Sequence, residues 1–190
     1  MGSRERRIHA AYQFFIYTLF GSIFMLFTIL YLYNKIGTSS YLVLSTIDFS
    51  LTDQYWLWLF FFLAFAAKIP TFPLHIWLPE AHVEAPTIGS VLLAALLLKL
   101  GTYGLIRFGM VLFPYGTINF NAFVSLLAII SIIYTSMIAI RQIDLKKIIA
   151  YSSVGHMNVV LLGIILLNVE NLEGAIFQML SHGIVSGALF

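Results

Sequence analysis

Two lysines stand in apolar stretches that are long enough to lie inside a membrane. Lys68 ends the run LAFAAK, and Lys99 lies within VLLAALLLKLGTYG. A charge in hydrocarbon costs about 2.5 to 3.5 kcal/mol or more, so such residues normally face a protein interior or a water-filled cavity. Together the two lysines indicate a path for protons or ions.

The segment between the two lysines is broken by prolines. Four of them are found there: Pro70, Pro73, Pro79 and Pro86. Each removes a backbone donor and crowds the carbonyl four residues earlier, which frees the carbonyls of Ala66, Ile69 and His75 if the chain stays helical. Freed groups at membrane depth must find partners in protein or water. The pattern therefore predicts a discontinuous helix beside a polar or wet environment.

Each lysine admits a structural and a functional interpretation. Lys99 either pairs with a carboxylate on another helix or is neutral and exchanges protons, because burial disfavours the charged form. No Asp or Glu lies within a predicted membrane core, which favours proton exchange at Lys99. For Lys68 the structural ion pair is a stronger alternative, since a helix outside this chain could supply the acid.

Three histidines are candidate members of the same path. His75 and His156 are interpreted equally well as satisfied core residues or as proton relays. For His182 a polar pathway is favoured, whereas Gly183 and Gly187 beside it form a small-residue face for helix packing. A metal site is not predicted, since this chain lacks the paired i, i+4 histidines of zinc hydrolases.

The elements that position these residues are membrane-spanning helices. Of 190 residues 61% are hydrophobic and only 9% are charged, which excludes an ordinary soluble domain. The apolar runs are too long for barrel strands. There is no cysteine, so thiolate metal sites, iron-sulfur ligation and disulfides are excluded.

We therefore predict an all-α polytopic membrane protein with a single membrane domain over residues 1–190. The expected helices number about six, and the second of them is discontinuous. Their predicted bounds are about 10–33, 55–78, 88–113, 120–140, 147–168 and 172–190. The long connection at 34–54, rich in Ser and Thr, is predicted to be a surface loop.

Basic residues in the short loops predict the orientation. The face called side A holds six of them: Arg4, Arg6, Arg7, Arg141, Lys146 and Lys147. The opposite face, side B, holds Lys35 and Arg107. The excess predicts that side A is the cytoplasmic or matrix face. Because the basic residues sit in short loops, no nucleic-acid partner is expected.

The longest of these stretches resemble a known family. AFAAKIPTFPLHIWLPEAHVEAPTIGSVLLAALLLKLGTYGLIRF, RQIDLKKIIAYSSVGHM and MLSHGIVSGALF are similar to the subunit 4 family of respiratory complex I, called chain M in bacteria. Complex I is the proton-pumping NADH:ubiquinone oxidoreductase. The HVEAPT motif is more similar to mitochondrial and related bacterial forms than to chloroplast ones. The resemblance implies a multi-pass protein of the mitochondrial inner membrane, and less strongly one of a bacterial plasma membrane.

The resemblance also implies roles for five residues. Lys68 matches the lysine of a discontinuous helix, whose partner is a glutamate on the preceding helix. Lys99 matches the lysine of the central axis that relays protons along the membrane arm, and His75, His156 and His182 match polar positions near it. The implied activity is proton translocation coupled to electron transfer, with no cofactor and no redox site on this chain.

The family pattern is incomplete in this sequence. The partner glutamate is expected upstream of GSRERR, and the second discontinuous helix with its exit residue has no counterpart. We expect a central fragment of an antiporter-like subunit, whose partners are membrane lipid, other membrane-arm subunits and separate chains that supply the flanking helices of a split subunit. A truncated sequence is the alternative.

Three other functions are compatible with the residues. A subunit of a multisubunit cation/proton antiporter would share the architecture, and a structural scaffold of the membrane arm would keep the helices without needing the lysines. An intramembrane metallohydrolase is the third, although Pro79 separates its potential ligands His75 and His82.

Overall fold

A computed structural model describes residues 4–190, and every regular element in that range is a helix. The elements in chain order are α1 (Arg4–Ile36), α2 (Tyr41–Leu44), α3 (Leu51–Lys68), α4 (Trp77–Glu84), α5 (Thr87–Met110), α6 (Pro114–Arg141), α7 (Leu145–Ile165) and α8 (Val169–Leu189). Within α5, Leu93–Leu97 and Leu105–Met110 are π-helical. The predicted all-α class is confirmed.

Four helices of the described range are long and apolar enough to cross a membrane, and these are α1, α5, α6 and α7. The other two of the predicted six segments differ from them. The second is divided into the shorter helices α3 and α4. The last, α8, carries Gln178, Ser181 and His182 near its middle.

The predicted break in the second segment is confirmed, and two carbonyls at its start accept hydrogen bonds from nearby groups. The Ala66 carbonyl accepts from the Thr71 N–H at 3.1 Å. The Ala67 carbonyl accepts from the Trp77 indole N–H at 2.9 Å. Because protein groups donate to these two carbonyls, the chain can leave the helix without leaving them unpaired.

A polar side chain from α7 completes the break. Asn158 is wholly buried, and its amide nitrogen donates to the Pro70 carbonyl at 3.3 Å and to the Val154 carbonyl at 2.8 Å. His75, which the sequence left as either a satisfied core residue or a proton relay, has its Nδ1 buried without a partner in the described residues.

The two halves of the broken segment lie at the centre of the bundle. Helix α3 packs against α1, α5 and α6, and α4 packs against α1 and α7. Trp58 of α3 stacks between Phe62 and Phe120 at 5.1 Å from each, and its indole donates to Thr117 at 2.8 Å. Aromatic burial and a satisfied indole N–H hold α3 against α6.

The segment predicted as a surface loop over 34–54 is partly helical and partly buried. It contains α2, the end of α1 and the beginning of α3. Leu44 and Phe49 are each only 7% exposed, and the Gln54 amide donates to the Phe49 carbonyl at 3.2 Å. Most residues of the segment are exposed as predicted, but a few side chains bury part of it against the bundle.

Helix α6 begins at Pro114 rather than near residue 120. Proline suits the first turn of a helix because its missing N–H has no partner there in any case. The polar residue Thr117 is satisfied within the structure, since its hydroxyl donates to the Phe113 carbonyl at 3.1 Å. The first residues of α6, from Pro114 to Ile118, have the polar and proline-containing composition of a loop although they are helical.

The two ends of the bundle gather the residues assigned to each side. At side A, Arg6 and Lys147 line one cavity with several acidic residues. At side B, Lys35 pairs with Asp53, and the Tyr41 hydroxyl donates to the Arg107 carbonyl at 3.2 Å. This grouping agrees with the predicted sequence of crossings.

Candidate functional site

Lys99 projects from α5 toward α8 and contacts a histidine. Its Nζ lies 2.7 Å from Nδ1 of His182 and donates to the Ala94 carbonyl at 2.7 Å. Neither Lys99 nor Lys68 contacts a carboxylate in the described part of the chain, where Lys35–Asp53 and Lys147–Glu80 are ion pairs. The alternative of an ion pair at Lys99 therefore finds no support among residues 4–190.

The local geometry of α5 explains the second contact of Lys99. The carbonyl of Ala94 belongs to the π-helical turn Leu93–Leu97, which lies immediately before the lysine. A π-helical turn widens the helix and is frequently found at functional sites. The amine therefore contacts a backbone carbonyl and an imidazole nitrogen, and no carboxylate among the described residues.

Lys99 also borders open space. A cavity of about 670 Å³ lies between α5 and α8, and Lys99 is the one charged residue among the described residues that line it. Gly183 faces the amine, and a Cβ added there would lie 3.6 Å from Lys99 Cε. The small residue keeps α8 close to the lysine, as expected from the Gly183 and Gly187 spacing.

His182 links Lys99 to a second histidine. His182 is 6% exposed, and its Nε2 is buried without a partner in the described residues. The ring of His156, on α7, lies 5.8 Å from it between centroids. His156 itself is exposed in this chain. Three predicted site residues, Lys99, His156 and His182, are therefore neighbours.

Lys68 is the last residue of α3 and is half-buried. Its Cβ lies 3.0 Å from the position that a Cβ on Gly101 would occupy. Gly101 follows Lys99 by two residues, so it faces about 200° away around the α5 axis. Lys68 and Lys99 therefore lie on different sides of the same helix.

His75 is placed apart from the other site residues. Its ring is 4% exposed and lies 5.9 Å from Phe72 and 5.4 Å from Tyr134 between centroids. In the described range no hydrogen bond or ring contact joins His75 to either lysine or to His182.

Sequence reasoning missed His82 as a candidate member of the proton path, because it was considered only as a potential metal ligand. It is wholly buried on α4, and neither ring nitrogen has a partner among residues 4–190. The signal was its spacing: His82 follows the buried Leu78 by four residues and therefore lies on the same face of α4. No cluster of three or more potential metal ligands occurs in the described part of the chain.

Comparison with known proteins decides the family. A family model described as "NADH:quinone oxidoreductase/Mrp antiporter, TM" matches residues 1–190. The chain belongs to this family. Its broken α3–α4 segment and its lysine-bearing α5 are thus features of a member of the NADH:quinone oxidoreductase/Mrp antiporter family.

Relatives within the family are longer. The chain is 59% identical over 189 residues to the NADH-ubiquinone oxidoreductase chain 4 of Marchantia polymorpha, which covers 100% of this chain and 38% of that protein. To the chain 4 protein of Prototheca wickerhamii it is 60% identical, with 36% of that protein covered. The chain therefore spans less than half of the length of these relatives.

Solved structures of the family share the helix arrangement. A chain in respiratory complex I from Thermus thermophilus with bound NADH matches with a TM-score of 0.85 and 30% identity, over 96% of this chain and 39% of that one. A chain of the Mrp complex from Dietzia sp. DQ12-45-1b matches with a TM-score of 0.83 at 22% identity, over 95% of this chain and 20% of that one. The second match shows the common fold alone.

Proposed function

We propose that this chain is a central part of subunit 4 of respiratory complex I and translocates protons in the mitochondrial inner membrane. In the complex it would couple electron transfer from NADH to ubiquinone, carried out by other subunits, to proton pumping. The observation that carries the proposal is the 2.7 Å contact between Lys99 Nζ and His182 Nδ1, with no carboxylate of the described residues paired to the amine. The 59% identity to a chain 4 protein supports the assignment to complex I.

The contact between Lys99 Nζ and His182 Nδ1 is suited to proton transfer. When Lys99 is an ammonium, one N–H points at the Nδ1 lone pair, and transfer breaks that N–H bond and forms one at Nδ1. The imidazole can then release its Nε2 proton to water or toward His156, which leaves the ring neutral. Both partners are neutral after the step, so no buried charge remains behind.

Lys68 would control the step by its charge. Its acidic partner is proposed to lie on a helix outside this chain, as the resemblance implies. Breaking that pair would leave an unbalanced ammonium at the end of α3, which opposes a second positive charge on Lys99 across α5. His75 and His156 would support the path by holding water near the break and near His182.

Replacing Lys99 with Met tests the proposal in the assembled complex. Met keeps much of the side-chain volume and removes the proton-carrying amine, so we expect normal assembly and a lower ratio of pumped protons to electrons. Lys35→Met is the matched control, because Lys35 lies at side B and pairs with Asp53. Normal proton stoichiometry in the Lys99→Met complex would defeat the proposal, and it is the result that a scaffold would give.

A cation/proton antiporter subunit is the second candidate, supported by the fold shared with the Mrp complex. Purification of the native assembly separates the two candidates, because complex I brings flavin and iron-sulfur subunits with it. A mass-spectrometric inventory of the same sample would also identify the polypeptide that carries the remaining helices. Absence of redox subunits would favour the antiporter.

A further inference from the structure

An apolar cavity of about 350 Å³ lies between α1, α2, α3 and α5, in the side B half of the bundle. It is separate from the cavity beside Lys99, which lies between α5 and α8. Among the described residues that line it, only Ser39 and Tyr41 have a polar side-chain atom. Apolar cavities do not hold ordered water and accept apolar ligands instead. In a membrane protein the occupant of this cavity is therefore expected to be apolar.

The cavity extends from the side B surface to the middle of the membrane. Ser39 and Tyr41 line it just beyond Ile36, which is the side B end of α1. Met25 lines its other end, eleven residues before Ile36, which is about 16 Å at 1.5 Å rise per residue. Half of the hydrocarbon core of a bilayer is about 15 Å thick. The cavity therefore has the depth that one lipid acyl chain has in its leaflet.

Aromatic contacts hold the walls of the cavity in place. Phe61 stacks on Phe65 of the same helix at 5.6 Å and on Phe108 of α5 at 6.4 Å between centroids. The Tyr41 ring meets the edge of Phe108 at 5.6 Å, and its hydroxyl donates to the Arg107 carbonyl at 3.2 Å. These contacts join α2, α3 and α5 around the cavity. Such a preformed shape is typical of ligand sites.

The volume distinguishes a lipid chain from a protein helix as the occupant. From Met25 to Leu32 the cavity follows α1 over about 10 Å. A helix with its side chains is about 10–12 Å across, so this length of helix would need about 800 Å³ or more. Ile29, midway along the cavity, is 40% exposed, so the cavity is also open to lipid at its side. A single flexible chain fits this space, and a whole helix does not.

A cation without an acidic partner lies at the side B end of the cavity. The Arg107 guanidinium lies 4.5 Å from the centroid of the Tyr41 ring, and Arg107 is exposed. No ion pair of the described residues includes Arg107, whereas Lys35, the other side B cation, pairs with Asp53. Guanidinium groups bind phosphate oxygens through paired hydrogen bonds. An arginine above an apolar cavity thus matches the two parts of a phospholipid.

We propose that this cavity binds an anionic phospholipid of the side B leaflet, with one acyl chain between α1, α3 and α5 and its phosphate on Arg107. The Tyr41 ring lies between these two parts, at the level where aromatic residues are enriched at the membrane interface. The inference does not depend on proton transfer at Lys99, because no residue of the proposed proton path lines this cavity.

Photolabelling of the purified native assembly tests the site. The probes are phosphatidylglycerol and phosphatidylcholine, each with a diazirine near the end of one acyl chain, and mass spectrometry identifies the labelled residues. We expect phosphatidylglycerol to label Phe61 or Phe65, which are 4% and 3% exposed and are out of reach of lipid on the outer surface. Leu126, which is 57% exposed near the middle of α6, is the reference for bulk lipid. Both probes should label it equally.

Two variants separate the contribution of the headgroup from that of the acyl chain. Arg107→Gln removes the charge, so labelling of Phe61 and Phe65 by phosphatidylglycerol should fall about fivefold, to the level of phosphatidylcholine. Ser39→Trp places a bulky side chain at the side B end of the cavity and should lower labelling by both probes. Ser40→Trp is the matched control, because Ser40 is an exposed neighbour that does not line the cavity.

The labelling of the wild-type assembly decides the outcome even if a variant does not assemble. Label at Leu126 without label at Phe61 and Phe65 would show that lipid does not enter the cavity, and it would overturn the inference. Equal labelling of the cavity by the two probes would overturn it as well, since an anionic headgroup would then have no preference for Arg107. Neither result involves proton pumping, so the proposed function would be unaffected.

Discussion

Replacing Gly101 with Ala would disturb the broken end of α3, where Lys68 is held. A Cβ at position 101 would lie 2.8 Å from Ile69 Cγ1, 3.0 Å from Lys68 Cβ and 3.2 Å from the Ile69 nitrogen. Carbon atoms in contact are normally about 3.5 to 4.0 Å apart. Because the Lys68 Cβ and the Ile69 nitrogen move only with the backbone, α3 or α5 must shift.

Two opposing effects set the change in stability that Gly101→Ala causes. Overpacking of this kind typically costs about 1–3 kcal/mol, whereas Ala in place of Gly stabilises a helix interior by about 1 kcal/mol. Gly187→Ala is the matched control, since its Cβ would lie 3.6 Å from Val91 Cγ1, an ordinary contact. We expect the Gly101 variant to be less stable than the Gly187 variant by about 1–3 kcal/mol.

The assay compares thermal inactivation of the two purified complexes and their ratios of pumped protons to electrons. The shift at Gly101 displaces Lys68, so the Gly101 variant should also pump fewer protons. Equal thermal stability and equal pumping in the two variants would refute the close contact between α3 and α5 on which the placement of Lys68 depends.

Two further predictions concern the break after α3. Trp77→Phe removes the donor to the buried Ala67 carbonyl and should lower the thermal stability of the complex by about 1–3 kcal/mol. Trp56→Phe is the control and should not lower it, because the Trp56 side chain is 63% exposed. An equal loss of thermal stability in both variants would contradict the role of the Trp77 indole. Asn158→Leu removes the bond to the Pro70 carbonyl and should lower both thermal stability and proton stoichiometry, and unchanged values would show that the break needs no donor from α7.

Local properties of the chain were predictable, and contacts of individual side chains were not. The prolines were sufficient to predict the break after Lys68, because proline acts on backbone groups within four residues. The donors that satisfy the break come from Trp77 and from Asn158, which is 88 residues away from Pro70. No local pattern connects residues so far apart.

The segment at 34–54 and the beginning of α6 show a second limit of prediction from the sequence. The segment at 34–54 was predicted to be a surface loop, and residues 114–119 were placed outside the predicted helices. In the structure Gln54 and Thr117 are buried and bonded to backbone carbonyls. A polar side chain that finds a partner can be buried at little cost, so polarity alone did not locate the surface.

The sequence by itself determined a helical membrane protein with a proline-broken segment and two lysines in apolar stretches, because hydropathy, helix length and proline effects depend only on neighbouring residues. Only the tertiary structure decided that Lys99 meets His182, 83 residues later, while His75 stands apart and His82 is buried. The reason is rotation about the helix axis: each residue adds about 100°, and the π-helical turns of α5 shift the face that follows them. Which side chains meet is therefore set by how whole helices pack.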